Sequence, residues 1–181
     1  MKKLPSDFTY HKYGIDVRLA NVDDSEFILS LRTNPDLNAY IHVTDANIEK
    51  QRIWMKEYKD REKAGLDYYF VFSMAGIPFG LERVYNIDQD TDSYTGGSWI
   101  CVPGVTPDQI LRQALASLDI VNNYLCLNEN HYDVRKGNKK VLHYHRHFIK
   151  AREEGETSED ILFYTDAAMR KEIIARLEKF L

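Results

Sequence analysis

Three of the chain's six histidines, His143, His145 and His147, alternate within the short segment VLHYHRHF. On a β-strand their side chains would share one face and could bind zinc or iron. On a helix His143 and His147 share a face while His145 points elsewhere, so the three rings cannot converge on one metal ion. Gly137 and Asn138 precede the segment, and its apolar residues do not alternate strictly. These features favour a helix and predict no metal site.

The composition describes one globular domain. The 181 residues carry a net charge of −4, with 44% hydrophobic and 29% charged residues. The mild acidity gives no footprint for nucleic acid and fits a cationic or small neutral partner, although it also serves solubility. Cys101 and Cys126 lack the spacing of a disulfide framework or a zinc site. No apolar run is long enough for a secretion signal or a membrane span, so we expect a cytoplasmic protein without membrane association.

Hydrophobic periodicity predicts an α/β fold on a mixed sheet. Along the chain, segments with the hydrophobic periodicity of a strand alternate with segments that have the periodicity of a helix. In chain order we predict a strand at 15–20, a helix within 21–34 that Pro35 stops, a helix over 47–63, strands over 68–74, 77–88 and 91–102, a helix over 106–125, a strand at 130–136, a helix over 137–148, strands at 149–153 and 160–166, and a last helix over 166–181. Gly96 and Gly97 predict a bulge in the strand that contains them.

Two segments resemble a known family. They are VRLANVDDSEFILSLRTNPDLNAYI, at 17–41, and GNKKVLHYHRHF, at 137–148. Both are similar to the GNAT superfamily of acyl-CoA-dependent N-acyltransferases, in the branch that includes ribosomal-protein N-terminal and amino-sugar acetyltransferases. The family has an Asn at the start of the helix after its fifth strand, a small residue three positions on and a Tyr seven positions on. Here Asn138, Val141 and His145 occupy these positions, Tyr144 precedes the histidine, and Phe148 closes the motif.

The resemblance extends over about residues 14–165 and implies a GNAT-like fold. We therefore expect a mixed, mostly antiparallel central sheet of about seven strands, flanked by helices. An added C-terminal helix over 166–181 would complete a single domain spanning 1–181.

The resemblance also implies acetyl-CoA as co-substrate, bound where the family's fourth and fifth strands splay apart. The strand backbone would pair with pantetheine, and the following loop and helix N-terminus would hold the pyrophosphate. The residues expected to bind the cofactor are Trp99, Ile100, Cys101, Val102, Gly104, Arg112, Asn138 and Lys139.

The phosphate loop departs from the family pattern Gln/Arg-x-x-Gly-x-Gly/Ala. In VPGVTPDQ only Gly104 remains, and Thr106 with Gln109 predicts a capping box that uses the helix's own first N–H donors. Asp108 adds a charge that repels phosphate. Two alternatives stay open: an acetyltransferase that holds the cofactor mainly through strand backbone, Asn138 and basic groups, or a degenerate GNAT-like protein that binds another ligand or a partner.

The resemblance suggests roles for individual side chains. His145 would donate a proton to, or hydrogen-bond, the leaving CoA sulfur, using an ordinary pKa near 6.5, with Tyr144 as the alternative. The attacking amine must lose a proton, and Glu82 is the first candidate base, with Tyr94 and His131 weaker. Each of these groups could instead be structural: His145 packed on the sheet, or Glu82 facing outward.

The acceptor is expected under the loop between the first two helices. This loop carries Tyr40 and His42, and Tyr94 is also counted among the acceptor-binding residues. The alternative is a plain connector. The resulting prediction is acetyl transfer by direct attack to a small primary amine, an amino sugar or nucleotide-linked amino sugar before a protein N-terminus. We expect no metal, nucleic-acid or membrane partner, and a monomer or homodimer.

Overall fold

The computed structural model describes every residue from Met1 to Leu181 and contains one eight-stranded sheet. The strands are β1 (Thr9–Lys12), β2 (Ile15–Leu19), β3 (Tyr68–Met74), β4 (Ile77–Asp88), β5 (Ser93–Cys101), β6 (Glu129–Arg135), β7 (Arg152–Glu156) and β8 (Asp160–Thr165). The helices are α1 (Ser25–Arg32), α2 (Ile48–Ala64), α3 (Pro107–Asp119), α4 (Lys139–His143) and α5 (Ala167–Leu177).

The sheet order is β1-β2-β3-β4-β5-β6-β8-β7. Every neighbouring pair is antiparallel except β5 and β6, which are parallel. The predicted mixed, mostly antiparallel sheet with flanking helices and a C-terminal helix is confirmed. The strand number differs from the expected seven because β1 forms a hairpin with β2 across Tyr13 and Gly14, at φ 58° and 69°.

Helices cover both faces of the sheet. Alternate β3 residues point to opposite sides: Tyr69 and Val71 pack with α1 and α2, whereas Phe70 and Phe72 pack in the core below α3. On the α3 side, α5 packs through Ile173 against Leu115 of α3, in a cluster that also contains Leu177 and Ile149. None of the helices combines the length and apolar character needed to cross a membrane.

Local sequence signals set the helix ends. Asn47 caps α2 by accepting a hydrogen bond from the Lys50 amide, and Gly65 ends this helix in the left-handed region at φ 80°. The predicted helix over 137–148 is shorter than expected, because α4 changes after His143 into a π-helical turn over Tyr144–Ile149. Such turns recur at functional sites, and this one contains the aromatic–histidine pair.

Candidate active site

β5 and β6 part almost at once after they meet. They pair only at Ser93–Glu129 and Tyr94–Asn130, after which β5 continues to Cys101 and β6 to Arg135. At the point of divergence the Asn130 side chain replaces a strand partner, since its Oδ1 accepts a hydrogen bond of 2.8 Å from the Gly96 amide. The two strands therefore leave a wedge-shaped gap between them. A cavity of about 260 Å³ lies in this gap and is lined by the sheet, α3, α4 and the α1–α2 loop.

A β-bulge shapes one wall of this gap. Leu81 pairs with Ile100 and Arg83 with Gly97, so two β5 residues, Ser98 and Trp99, lie opposite the single residue Glu82. Ser98 has φ 52°, a conformation rare for residues with a side chain. The bulge lies one step beyond the glycine pair where the sequence predicts it. It interrupts the ladder beside Glu82 and turns the Trp99 ring into the gap.

Tyr144 and His145 both line the cavity from the π-helical turn. The Tyr144 ring stacks on Trp99 at 5.1 Å between centroids and on Phe148 at 6.1 Å. Its hydroxyl has no hydrogen-bond partner in the chain, and burial raises its pKa above the ordinary value, with the nearby Glu82 and Cys101 adding to the effect. Tyr144 therefore presents a protonated, free hydroxyl to the gap at neutral pH.

His145 is held in place by a residue that sequence reasoning missed. Tyr132, on β6, places its hydroxyl 2.9 Å from His145 Nδ1, and the Phe163 ring packs beside the imidazole at 5.5 Å. Burial lowers the pKa of His145 to about 4. The expectation of an ordinary value near 6.5 is therefore wrong: this imidazole is neutral at pH 7 and acts as a hydrogen-bond donor or acceptor rather than as a cationic acid.

Glu82 faces the same cavity from β4. The Ser117 hydroxyl donates a hydrogen bond of 2.8 Å to its Oε1, and no cation pairs with it. Burial raises the pKa of Glu82 to about 7, against the opposing effect of the Ser117 bond. A carboxylate that titrates near neutral pH can accept a proton and release it again.

No model of a known protein family matches the chain, and no curated protein sequence matches it. Among solved structures, it is similar to apo FdhC, described as a nucleotide-linked sugar GNAT. The identity is 30%, with 97% of this chain and 99% of that chain covered and a TM-score of 0.85. The chain belongs to the GNAT family of N-acetyltransferases.

More distant GNAT structures share the fold. The ribosomal-protein-S5-alanine acetyltransferase of Vibrio fischeri has 16% identity over 89% of this chain and 97% of that one, with a TM-score of 0.75. The spermidine N-acetyltransferase of Vibrio cholerae, in complex with CoA and spermine, has 17% identity over 88% and 99%, with a TM-score of 0.74.

The residues of β5 that are predicted to bind the cofactor differ in their surroundings. Trp99 lines the gap, Ile100 has a side chain in the core, and Cys101 binds Gln113 Oε1 through its thiol at 3.1 Å. Val102 differs from expectation. Its amide donates to Phe79 O at 2.8 Å and its carbonyl accepts from the Val105 amide, so neither group is free for pantetheine. Because amides alternate along an antiparallel strand, that of Cys101 turns toward the gap.

The loop and helix start predicted to hold the phosphates make internal contacts instead. Thr106 and Gln109 form the predicted capping box at the start of α3. Arg112 donates to Asp108 Oδ2 at 2.7 Å and to Tyr13 O at 2.5 Å, so this guanidinium already has partners, contrary to a free phosphate-binding group. Gly104 is open to solvent at φ 83°.

Two predicted groups at α4 remain available to a cofactor. Asn138 caps α4 through its Oδ1, which leaves its NH₂ group for another partner, and it lines the cavity. Lys139 lies exposed beside it at the first position of the helix.

The residues predicted to bind the acceptor separate into two groups. Tyr40 and His42 line the cavity as expected, with the Tyr40 ring against Gly137. Tyr94 does not: it is only 4% exposed, belongs to the core and packs against the Arg170 guanidinium at 5.6 Å. Its prediction as an acceptor-binding residue is wrong, because its position on β5 turns the side chain into the apolar layer below α3.

The other histidines lie apart from the cavity. The exposed rings of His143 and His147 lie 4.3 Å apart on one side of the helix, as helical spacing requires, while His145 faces inward. His131 is exposed and binds Glu154 at 2.9 Å. No three ligand-type side chains in the structure are arranged to hold a metal ion.

Several polar side chains of the cavity have no motif that could have revealed them. They come from α1 and the face of the sheet that α1 and α2 cover, and they include Arg32, Tyr85 and Asp133. Tyr85 lies across Gly97, where an added Cβ would come within 3.0 Å of its ring. Asp133, on β6, makes no ion pair. Tyr85 and Asp133 come together because side chains alternate between the two faces along β4 and β6. Only the strand register shows this, and the sequence alone does not give the register.

Proposed function

We propose that this protein transfers an acetyl group from acetyl-CoA to the primary amine of a small polar acceptor, an amino sugar or a nucleotide-linked amino sugar. The observation that carries the proposal is the gap between β5 and β6, which pair at two positions only and leave a cavity that reaches Tyr144, His145 and Glu82. Pantetheine is an extended amide chain, and an unpaired strand edge can bind it as an additional strand would bind.

The free hydroxyl of Tyr144 fits the role of a hydrogen-bond donor to the CoA sulfur. Acyl transfer breaks the C–S bond and leaves a thiolate, and a neutral donor beside that sulfur stabilises the charge that develops there. His145 supports the same site without carrying charge. Because Tyr132 occupies its Nδ1, its Nε2 is the nitrogen left to face the gap.

Glu82 fits the role of the base. At pH 7 an acceptor amine is mostly an ammonium ion, and it must lose a proton before its nitrogen attacks the thioester carbonyl. With a pKa of about 7, Glu82 accepts this proton, directly or through water in the cavity, and returns it to solvent after the amide has formed.

Amino sugars as acceptors are supported by the tyrosines and by the similarity to apo FdhC. Tyr40 and Tyr85 line the part of the cavity under the α1–α2 loop, and tyrosine rings combine an apolar face with a polar hydroxyl. The structure 30% identical to this chain is described as a nucleotide-linked sugar GNAT. A spermidine acetyltransferase shares the fold at lower identity, so polyamines belong in the test panel.

The second candidate is a GNAT-like binding module without acetyl-CoA chemistry. It is favoured by the α3 N-terminus, where the capping box of Thr106 and Gln109 uses first-turn donors and Asp108 pairs with Arg112. If those contacts persist, few groups remain there for a pyrophosphate.

Calorimetry with acetyl-CoA, followed by a thiol-release assay, distinguishes the two functions. We expect acetyl-CoA to bind and thiol release to require an amine, with amino sugars and their nucleotide-linked forms ahead of spermidine and an N-terminal alanine peptide. No heat at millimolar acetyl-CoA would favour the binding module.

A variant ties the activity to this gap. His145→Phe keeps an aromatic ring but removes both nitrogens, and we expect a lower kcat with a native circular dichroism spectrum. His147→Phe, at an exposed position on the other side of the helix, is the matched control and should retain activity. Equal activity of both variants would remove His145 from the mechanism.

A further inference from the structure

Arg32, the last residue of α1, presents its guanidinium to the acceptor side of the cavity. Its Nε donates to Thr44 Oγ1 at 2.8 Å, its Nη2 to the His42 carbonyl at 3.4 Å, and its Nη1 approaches Ser98 Oγ at 3.5 Å. All three partners are neutral. A guanidinium has five N–H donors, so Arg32 keeps unused donors and lacks a carboxylate counter-ion although it is half-buried.

The surroundings of Arg32 contain another unused polar group. Tyr69 is 2% exposed, and its hydroxyl has no hydrogen-bond partner. Burial raises the pKa of Tyr69, while the positive charges of Arg32 and Arg83 and a weak hydrogen-bonding approach of the Arg32 guanidinium oppose that increase. Buried hydroxyls in native proteins are nearly always hydrogen-bonded, and Arg32, with its unused donors, is the neighbour of this one.

The local charge is positive although the chain as a whole carries −4. Arg61 and Arg83 both bind one buried carboxylate, Asp67, so that cluster keeps an excess positive charge. Arg32 adds another. Asp133 makes no ion pair, and it lies close enough to Tyr85 for its charge to raise the pKa of that phenol. The guanidinium groups of Arg32, Arg61 and Arg83 therefore outnumber the two carboxylates that lie near them, Asp67 and Asp133.

We propose that Arg32 binds an anionic group of the acceptor, a phosphate or a carboxylate, and so selects amino sugars that carry one. The inference rests on the proposed acetyl transfer and specifies its acceptor. The phosphates of CoA do not explain the site, because the helix N-terminus expected to hold them belongs to α3, whereas Arg32 ends α1 on the opposite face of the sheet. Asp133 lies in the same chamber and offers a carboxylate to the acceptor's ammonium group.

Acceptor preference in Arg32→Gln tests the proposal. The acceptors are glucosamine, glucosamine 1-phosphate, a nucleoside-diphosphate-linked amino sugar and an amino uronic acid. We expect Arg32→Gln to raise KM for the anionic acceptors roughly 10- to 100-fold, because a hydrogen bond between charged groups is lost. KM for glucosamine and for acetyl-CoA should change by less than about twofold. Arg32→Lys keeps the positive charge but lacks the planar guanidinium that donates two parallel hydrogen bonds. Its KM for the anionic acceptors should therefore lie between those of the wild type and Arg32→Gln.

The panel also separates the two sources of negative charge. An increase in KM that is confined to the phosphorylated amines identifies a phosphate site. An increase confined to the amino uronic acid identifies a carboxylate site. Arg52→Gln is the matched control, because Arg52 is a half-buried α2 arginine that lies outside the cavity and pairs with Glu26 and Glu49, and it should behave as the wild type. An equal KM increase for glucosamine and its phosphate would show that Arg32 only holds the α1–α2 loop through His42 and Thr44, and would overturn the proposal.

Calorimetry of glucosamine 1-phosphate and the amino uronic acid, without acetyl-CoA, keeps this test independent of catalysis. Tight binding to the wild type that Arg32→Gln weakens supports the anion site even if no acetyl transfer is found, in which case only the proposed reaction fails. The proposal is contradicted if wild type and Arg32→Gln bind every anionic amine alike, or if the wild type binds none of them.

Discussion

Replacing Glu82 by Gln should change both the stability and the pH dependence of the protein. In the unfolded chain this carboxyl titrates near 4.5, whereas burial raises its pKa to about 7 in the fold. The folded protein therefore holds a proton that the unfolded chain has released between these pH values, so the contribution of Glu82 to stability is fully present below pH 4.5 and is lost as the pH rises through 7.

The magnitude follows from the two pKa values. A change from 4.5 to about 7 corresponds to about 3 kcal/mol between low and high pH. Water in the cavity reduces this value, and we expect about 1–2 kcal/mol. Gln keeps the side-chain shape and can still accept the Ser117 hydrogen bond, but it carries no charge. The free energy of unfolding of Glu82→Gln should then exceed that of the wild type at pH 8 and match it near pH 4.5.

Urea unfolding at several pH values measures the stability difference, and the pH profile of kcat/KM measures the catalytic role. Wild-type kcat/KM should increase with pH and level off above about 7, because only the ionised carboxylate accepts a proton. Glu82→Gln should lose roughly 10²–10⁴-fold and lose this inflection. A variant with the wild-type profile would show that Glu82 is not the base, and an unchanged stability difference between pH 4.5 and 8 would refute its raised pKa.

Three further substitutions test other parts of the site. Tyr144→Phe should lower kcat about 10- to 100-fold in steady-state assays with the acetyl-CoA KM unchanged, since one hydrogen bond to the leaving sulfur is lost; an unchanged kcat would assign that bond elsewhere. Gly80→Ala would place a Cβ 2.3 Å from Gln113 Oε1 and should lower the free energy of unfolding by about 1–3 kcal/mol in urea titrations, and a neutral result would contradict the close packing of β4 on α3. Gly137→Ala would bring a Cβ within 2.9 Å of the Tyr40 ring, so the acceptor KM should increase several-fold at constant stability, and an unaffected KM would place the acceptor away from this ring.

The elements were largely predictable because periodicity and caps are local signals. Asn47 and Gly65 mark the two ends of α2, as their capping chemistry predicts. Thr106 and Gln109 form the predicted capping box. β1 was missed because only one of its four residues, Tyr10, is buried, so no alternation is visible in the sequence. Pairing with β2, which is a tertiary contact, defines this strand.

The candidate site was predictable only where a motif marks it. Tyr144, His145 and Asn138 stand in one motif and all line the gap. Arg32 and Tyr132 enter the cavity from distant segments, and nothing in their local sequence distinguishes them from solvent-facing polar residues. Strand register decides such cases, as it does for Tyr94, which points into the core.

The pKa of a side chain is also a property of the fold. Residue type alone predicts an ordinary pKa for His145. In the fold its pKa is about 4, because the π-helical turn buries the imidazole beside Tyr132 and Phe163. The same process raises the pKa of Glu82. Roles that depend on protonation are therefore the least accessible to sequence reasoning.

A crystal structure with bound CoA tests the central claim most directly. The account predicts that pantetheine occupies the gap between β5 and β6, along the Trp99–Cys101 edge, with its sulfur within hydrogen-bond reach of the Tyr144 hydroxyl. CoA bound elsewhere on the surface, or a gap that stays empty at saturating CoA while the side chains around it close, would contradict the account.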